Sequence, residues 1–244
     1  MQKENIIAKK NESEDKIEMN RPVTTLFMLM SVDGKINTGA TDALDFDRDF
    51  PLIDGVKEGL HQYYEIEQTT DLWSLNTGRV QAKMGVNEKP YPEKGPVSFV
   101  LVDNTHLTEH GVRYFCALSQ KLVLITQNKN HPALSVKADN LYIIQQDVLS
   151  LPDALRILKC ELGCEKLTVQ SGGTLNGIFL REGLFDFVDI VVAPVLVGGK
   201  ETTTLIDGAS LMCTDELSHL GVLKLLCAEV LDGSYLRLKY QVIR

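Results

Sequence analysis

The chain has 244 residues, of which 44% are hydrophobic and 24% charged, with a formal net charge of −8. That length fits one large α/β domain or two small ones with ample core. The acidic balance argues against nucleic acid as the main partner, because backbone phosphates call for a basic surface. Residues 1–20 are charged, mixed in sign and poor in large apolar side chains, which predicts a flexible N-terminal extension. From Val23 to Met30 the pattern is apolar and β-rich, as in a strand covered on both faces. Ser31 to Thr41 reads as a loop. Residues 42–65 carry Asp42, Asp45, Asp47 and Asp49, then Pro51, then a helical segment to about Tyr64. Thr70–Leu75 reads as a short strand, Thr77–Met84 as a helix, and the prolines at 90, 92 and 96 as a loop. Val97–Asp103, Leu122–Thr126 and Leu141–Gln145 read as strands, and Leu151–Leu162 as an amphipathic helix. The segment around His106 and His110 reads as loop. Near the end, Gly221–Val230 and Tyr235–Val242 flank Asp232-Gly233, a hairpin signal. Alternating strands and helices predict an α/β fold: a mainly parallel sheet, helices on both faces, and a C-terminal antiparallel hairpin.

No apolar run reaches membrane-spanning length, and the N-terminus lacks the apolar core of a signal peptide. Five cysteines suggest no disulfide framework, and the spacing of Cys160 and Cys164 suits buried reduced thiols better than a zinc site. The expectation is a cytoplasmic protein without membrane contact. The five histidines show no metal-ligand spacing, so no metal is expected. Gly-x-Gly-x-x-Gly and phosphate-loop fingerprints are both missing.

The segment Leu167 to Asp186 carries the sharpest local signal. Thr168-Val169 is β-prone, Gly172-Gly173 breaks the strand, and Leu175, Ile178, Phe179 and Leu180 follow at helical spacing until Gly183. A glycine pair at a strand-to-helix turn admits a ligand close to the backbone. It also leaves the first helix N–H groups aimed at open space, which favours an anion such as phosphate. An ordinary tight turn reads the same locally.

The ordered run Ser171-Gly-Gly-Thr-Leu-Asn-Gly, Arg181-Glu-Gly-Leu-Phe-Asp and Ala193-Pro-Val-Leu-Val-Gly-Gly continues this pattern. With Arg21-Pro22 and Ser31-Val-Asp-Gly-Lys-Ile near the start, it resembles the reductase domain of riboflavin-biosynthesis proteins. That family belongs to the dihydrofolate-reductase-like superfamily, and the resemblance spans roughly residues 21–242. It implies one reductase domain over residues 21–244, NADPH as cofactor, a small heterocyclic substrate, and a homodimer formed through late strands. In relatives the loop after the first strand lies along the nicotinamide, which assigns Ser31 and Gly34 to the cofactor. The first glycine pair lines the pyrophosphate there, bringing in Ser171, Gly172, Gly173, Thr174 and Leu175; Gly198-Gly199 is either a second cofactor wall or a bend. Asn76-Thr-Gly-Arg-Val80 sits where relatives carry a phosphate-contacting turn. Thr77 and Arg79 follow from that, with Arg79 suited to grip a 2′-phosphate bidentately. Asp103 and Thr126, at strand ends, line the adenosine half or simply terminate strands.

Around the substrate the candidates are Asp33, Lys35, Asp45, Asp47, Arg48 and Tyr63. Asp33 and Asp47 are the catalytic candidates, although an acidic first turn capping the next helix also explains Asp45 and Asp47. Departures from the family are informative. Deaminase zinc motifs are missing. Phe27 replaces a family Lys, Ser171 a Glu, and Ala82-Lys-Met-Gly85 has lost an acid. The Tyr63-Tyr64 region replaces an Arg expected to hold a ribose phosphate. The cofactor half is kept while the substrate half is rebuilt. The function expected is an NADPH-dependent reductase similar to 5-amino-6-(5-phosphoribosylamino)uracil reductase. The alternatives are a reductase of another pterin-like or carbonyl substrate, or a silent nucleotide-binding homologue. A Gly173→Val change is expected to crowd the pyrophosphate while sparing the fold.

Overall fold

Strand β1 (Val23–Ser31) shows why both faces of the sheet are covered. Leu26 joins one buried cluster, whereas Phe27 and Leu29 join another, the period-two alternation of an extended chain. The computed structural model describes residues 20–243, so the extension read over residues 1–20 lies, apart from Asn20, outside them. Chain order continues with α1 (Phe46–Asp49), α2 (His61–Glu67), β2 (Trp73–Thr77), α3 (Gly78–Lys83) and β3 (Ser98–Val102). Next come α4 (Glu109–Leu118), β4 (Leu122–Thr126), β5 (Leu141–Gln145), α5 (Leu151–Cys160), β6 (Lys166–Val169) and α6 (Gly173–Arg181). Strands β7 (Phe187–Ala193), β8 (Val222–Val230) and β9 (Leu236–Ile243) complete the series.

The described strands form one sheet in the order β5-β4-β3-β2-β6-β1-β7-β9-β8. The first seven in that order run parallel, and β9 is antiparallel to both neighbours. The α/β architecture read from the sequence is the one observed, including the terminal hairpin. Its turn puts Gly233 at φ +64°, in the left-handed region that glycine enters most easily.

Helices α5 and α6 pack on one face, where Leu155, Leu158 and Phe179 meet Leu26, Leu75 and Val100. The opposite face holds two separate clusters. Phe46, Phe50 and Tyr63 cover Phe27 and Val191, while Val112 and Phe115 cover Leu101 and Leu124. From β1 the chain works outward to β5, then returns to insert β6 between β2 and β1. Crossovers from β1 and β6 therefore diverge, and such a divergence leaves a crevice at the carboxyl ends of parallel strands.

The two ends of the motif run meet in space. The Arg21 guanidinium donates to both carboxylate oxygens of Asp186 (2.7 and 2.8 Å), and the Thr24 N–H donates to the same group at 2.8 Å.

Three expectations need correction. The segment after His106 is not all loop: α4 begins at Glu109, capped by the Thr108 hydroxyl. Val112 and Phe115, three residues apart, give it a buried face. The helical segment read after Pro51 to about Tyr64 is helical only at its end: a 3₁₀ turn closes at Leu52, Gly55 stands at φ +85°, and α2 begins at His61. Of the two cysteines read as buried thiols only Cys164 is buried; Cys160 is exposed.

Phe27 is fully buried and stacks on Tyr63 with ring centroids 5.2 Å apart. Phe27→Ala should lower unfolding free energy by about 3–5 kcal/mol, measured by chemical denaturation. A loss below about 1 kcal/mol would show that this cluster does not anchor the second face.

Candidate active site

A cleft of about 830 Å³ opens at the carboxyl ends of β2, β3 and β6, between the two clusters of that face. Helix α6 supplies its most distinctive element. Gly172 is the N-cap, so no side chain caps the helix, and a Cβ at that position would meet nothing within 4 Å. Ser171, Gly172, Gly173, Thr174 and Leu175 all line the cleft. An uncapped first turn presents N–H donors and the positive end of the helix dipole to whatever sits there.

Gly173 differs from its neighbour. A Cβ there would collide with the Asp207 carboxylate and the Thr204 carbonyl, and one at Gly177 would collide with the Asp207 backbone. The absent side chains at 173 and 177 are thus filled by the protein's own 204–207 segment. Gly173→Val would strike this segment, contrary to the expectation that it spares the fold. Gly172 is the position that opens towards a ligand. Ser171 is buried and donates its hydroxyl to Asn176 (2.6 Å) inside the same turn.

Thr77 lines the cleft and caps α3, while Arg79, also at the rim, pairs with Asp42 at 3.1 Å. Asp103 faces inward. Burial opposes its ionisation, yet hydrogen bonds from His131, the Leu107 N–H and His106 hold its carboxyl well below the usual carboxylate range. His131 accepts the Ala133 N–H at Nδ1, so its Nε2 carries the proton given to Asp103. Asp103 lines the cleft, and these bonds make its carboxyl also the tie that knits the β3 end together. The Thr126 hydroxyl donates to Asn104 at 3.1 Å, and Thr126 stands off the cleft wall.

The loop after β1 also lies off the cleft lining, from Ser31 through Lys35. Asp33 accepts from the Ser31 hydroxyl (2.6 Å) and from the N–H groups of Val197 and Gly198 (3.1 and 2.7 Å). These bonds, led by Ser31, lower its pKa to about 2. Lys35 is buried, and its ammonium donates to the carbonyls of Gly199 and Thr202 (2.7 and 2.8 Å). The Gly34 carbonyl accepts from Leu205 at 3.0 Å. These residues tie the β1 loop to the 195–205 segment, and Gly198-Gly199, both at positive φ, form a bend within it.

Beneath α1 and α2 the cleft gathers Asp45, Asp47, Tyr63, Tyr64 and Glu67. Asp45 caps α1 and pairs with Lys83 at 2.6 Å. Arg48 points away and donates weakly to the carbonyls of Asp42 and Lys83, both at 3.3 Å. Asp47 remains solvent-accessible, yet crowding by the cleft walls raises its pKa; the Tyr64 hydroxyl donates to it at 2.8 Å. Glu67 is raised too, chiefly by desolvation, with Asp47 adding repulsion. Gln170 accepts from Ser74 (2.9 Å) and donates to Glu67 (2.5 Å), which fixes the amide's orientation. Sequence reasoning missed Glu67 and Gln170. Glu67 lies one turn from Tyr63 on a helix face, a signal within reach; Gln170 is 103 residues away and shows no local sign.

Comparison with known proteins now bears on this geometry. The RibD C-terminal domain family profile matches residues 22–230. Over 88 residues the chain is 31% identical to the riboflavin biosynthesis protein RibD of Bacillus amyloliquefaciens, covering 36% of this chain and 23% of that protein. Over 47 residues it is 45% identical to the 2,5-diamino-6-ribosylamino-4(3H)-pyrimidinone 5′-phosphate reductase of Methanothermobacter thermautotrophicus, covering 19% and 22%. The chain thus aligns with under a quarter of the length of either relative. Among solved structures, RibD of Acinetobacter baumannii shares the fold, with a TM-score of 0.64 at 15% identity, covering 92% of this chain and 59% of that one.

Raised carboxyls make a pH prediction. Glu67 in the folded state holds its proton above its ordinary value of 4.5, so folding becomes less favourable as pH rises through that window. Glu67→Gln keeps the oxygen that accepts from Gln170 and removes the charge. Its melting temperature should exceed that of the parent at pH 7, and the gap should vanish below pH 4.5. A gap that is reversed at pH 7 would show that the ionised carboxylate is stabilising.

Proposed function

Since the chain belongs to the RibD C-terminal domain family, we propose that it is an NADPH-dependent reductase of a small heterocyclic substrate, of the ribosylaminopyrimidine kind that the named relatives reduce. The observation that carries this reading is the uncapped first turn of α6, open above Gly172, in a cleft large enough for a dinucleotide. Residues 21–244 act as one reductase unit. The N–H groups of that turn, with Thr174 and Leu175, hold the pyrophosphate. Thr77 and Arg79 stand beside it, and Asn104 and His106 border the adenosine end. When bound, the reduced nicotinamide supplies the hydride.

The protein's own part is orientation, exclusion of water and management of a proton. Reduction at the carbon of a C=N or C=O bond leaves the heteroatom to take up a proton. Asp47, whose pKa burial raises and which accepts from the Tyr64 hydroxyl, is assigned to hold that proton. Asp33 is unsuited to the role, since its bonds keep it ionised. The five unpaired cysteines suit the reducing cytoplasm, where we place the reaction.

A homodimer completes the proposal. Strand β8 is an outer edge strand, and Val222, Leu223, Leu225, Leu226 and Val230 on it are all exposed. An apolar edge of that kind invites pairing with a second copy.

Two measurements test this reading. Gly172→Val fits the extended backbone at that position and should leave the fold intact while weakening NADPH binding more than tenfold by calorimetry; unchanged affinity would remove the α6 turn from the site. Sedimentation should give a dimer that Leu225→Lys converts to monomer, and a monomeric parent would refute the β8 interface.

A further inference from the structure

The adenosine end of the cleft can be read one step further, resting on the reductase assignment above. Neighbouring strands of a sheet lie about 4.8 Å apart, so the loop after β3 stands two strands, about 10 Å, from the α6 turn that follows β6. Basic side chains from three separate elements line the cleft there: Arg79 on α3, Lys89 in the segment before β3, and His106 in the loop before α4. Their backbones are tied together. A Cβ at Gly78 would overlap the Asp103 carboxyl group, so the turn that carries Arg79 seats directly on Asp103. Asn87 donates to the His106 carbonyl at 2.9 Å and accepts from the Thr108 N–H at 3.0 Å, which draws the Lys89 segment to the same place. The Lys89 carbonyl accepts from His110 at 2.8 Å, while its ammonium has no partner among the described residues. Arg79 pairs with Asp42, but the two side chains are 64% and 62% exposed. A pair so open to water is worth little, and the guanidinium can turn to a ligand.

His106 is held more firmly than the other two. Asp103 accepts its backbone N–H at 3.1 Å and its ring Nδ1 at 2.9 Å. An ionised carboxylate can only accept, so Nδ1 carries a proton and Nε2 is the nitrogen left to titrate. Nε2 has no partner among the described residues, on a side chain 45% exposed at the cleft lining. Neutral imidazole offers a lone pair at that atom, and imidazolium offers a charged donor. Histidine changes between these forms within about pH 5 to 8, whereas arginine and lysine side chains keep their charge across that range. The titratable and charged groups around the ring are Asp103 with His131, Arg79 with Asp42, Lys89 with His110, and Glu109 with Arg113. Each carboxylate among them already accepts from a nitrogen donor, so an incoming phosphate meets the cations. We infer that His106, oriented by Asp103, binds the 2′-phosphate of the cofactor together with Arg79 and Lys89, and that its protonation makes the preference for NADPH over NADH strongest at low pH.

The test is calorimetric titration of NADP and of NAD into the full chain at about pH 6.5 and about pH 8.5, both above the second ionisation of a phosphate near pH 6. The expected result is a preference for NADP that falls at least fivefold from the lower pH to the higher. In His106→Gln, whose amide donates equally at either pH, the preference should stay flat within twofold. A second measurement needs no variant. Repeated in buffers of different ionisation enthalpy at about pH 7.5, the titrations should show proton uptake on binding NADP and none on binding NAD. A flat preference in the parent, a pH dependence that survives His106→Gln, or binding of NADP without proton uptake overturns the inference while leaving the reductase reading intact. Equal affinity for the two dinucleotides at both pH values does the same. Failure of both to bind removes the reductase reading, and this inference with it.

Discussion

A stretch of backbone can lie against a helix only where side chains are missing, and Gly173 and Gly177 give α6 such a face. The 204–207 segment seats there, with the Asp207 N–H donating to the Gly173 carbonyl at 2.9 Å and Asn176 donating to the Leu205 carbonyl at 2.9 Å. One side of the helix is thereby closed by the protein itself. Its first turn is left facing the cleft, with Gly172 as an N-cap that has no side chain to satisfy the leading N–H groups. Partial positive charge at such a helix start favours an anion, even with the Asp207 carboxylate packed beside Gly173. The nucleotide-binding capacity assigned to this fold depends on that division of labour between two adjacent glycines.

The same segment is fastened from the other direction by the β1 loop. Asp33 accepts from Val197 and Gly198, Lys35 donates to Gly199 and Thr202, and the Gly34 carbonyl accepts from Leu205. Charged side chains that a motif-based reading sends to the ligand are in fact fasteners. They hold the segment that in turn shapes α6. The cleft wall beneath α1 and α2 arises differently, from Asp47 and Glu67, which accept from Tyr64 and Gln170.

Much of the fold was legible in the sequence because its strands are short apolar runs bounded by turn residues. β4 and β5 were read to the residue, and the Asp232-Gly233 hairpin announced itself through a turn that requires positive φ. Less local features escaped. Helix α4 was overlooked because His106, His110 and neighbouring polar residues dilute an apolar face that only Val112 and Phe115 make visible. In the candidate site, glycine placement and charge are enough to bring Ser171 to Leu175 and Asp47 to the cleft lining. Lys35 and Asp33 were assigned to the ligand because nothing local shows that residues 164 or more positions away would engage them. The Gln170–Glu67 contact was invisible for the same reason. Register within an element is written in nearby residues, whereas the partner of a buried charge is decided by topology.

The central claim is that the first turn of α6 receives an anionic dinucleotide. A crystal structure of the protein grown with NADP tests it most directly. The account predicts pyrophosphate oxygens within hydrogen-bonding distance of the N–H groups at Gly173, Thr174 or Leu175, directly above Gly172. A dinucleotide seated elsewhere, with that turn facing solvent, would contradict it.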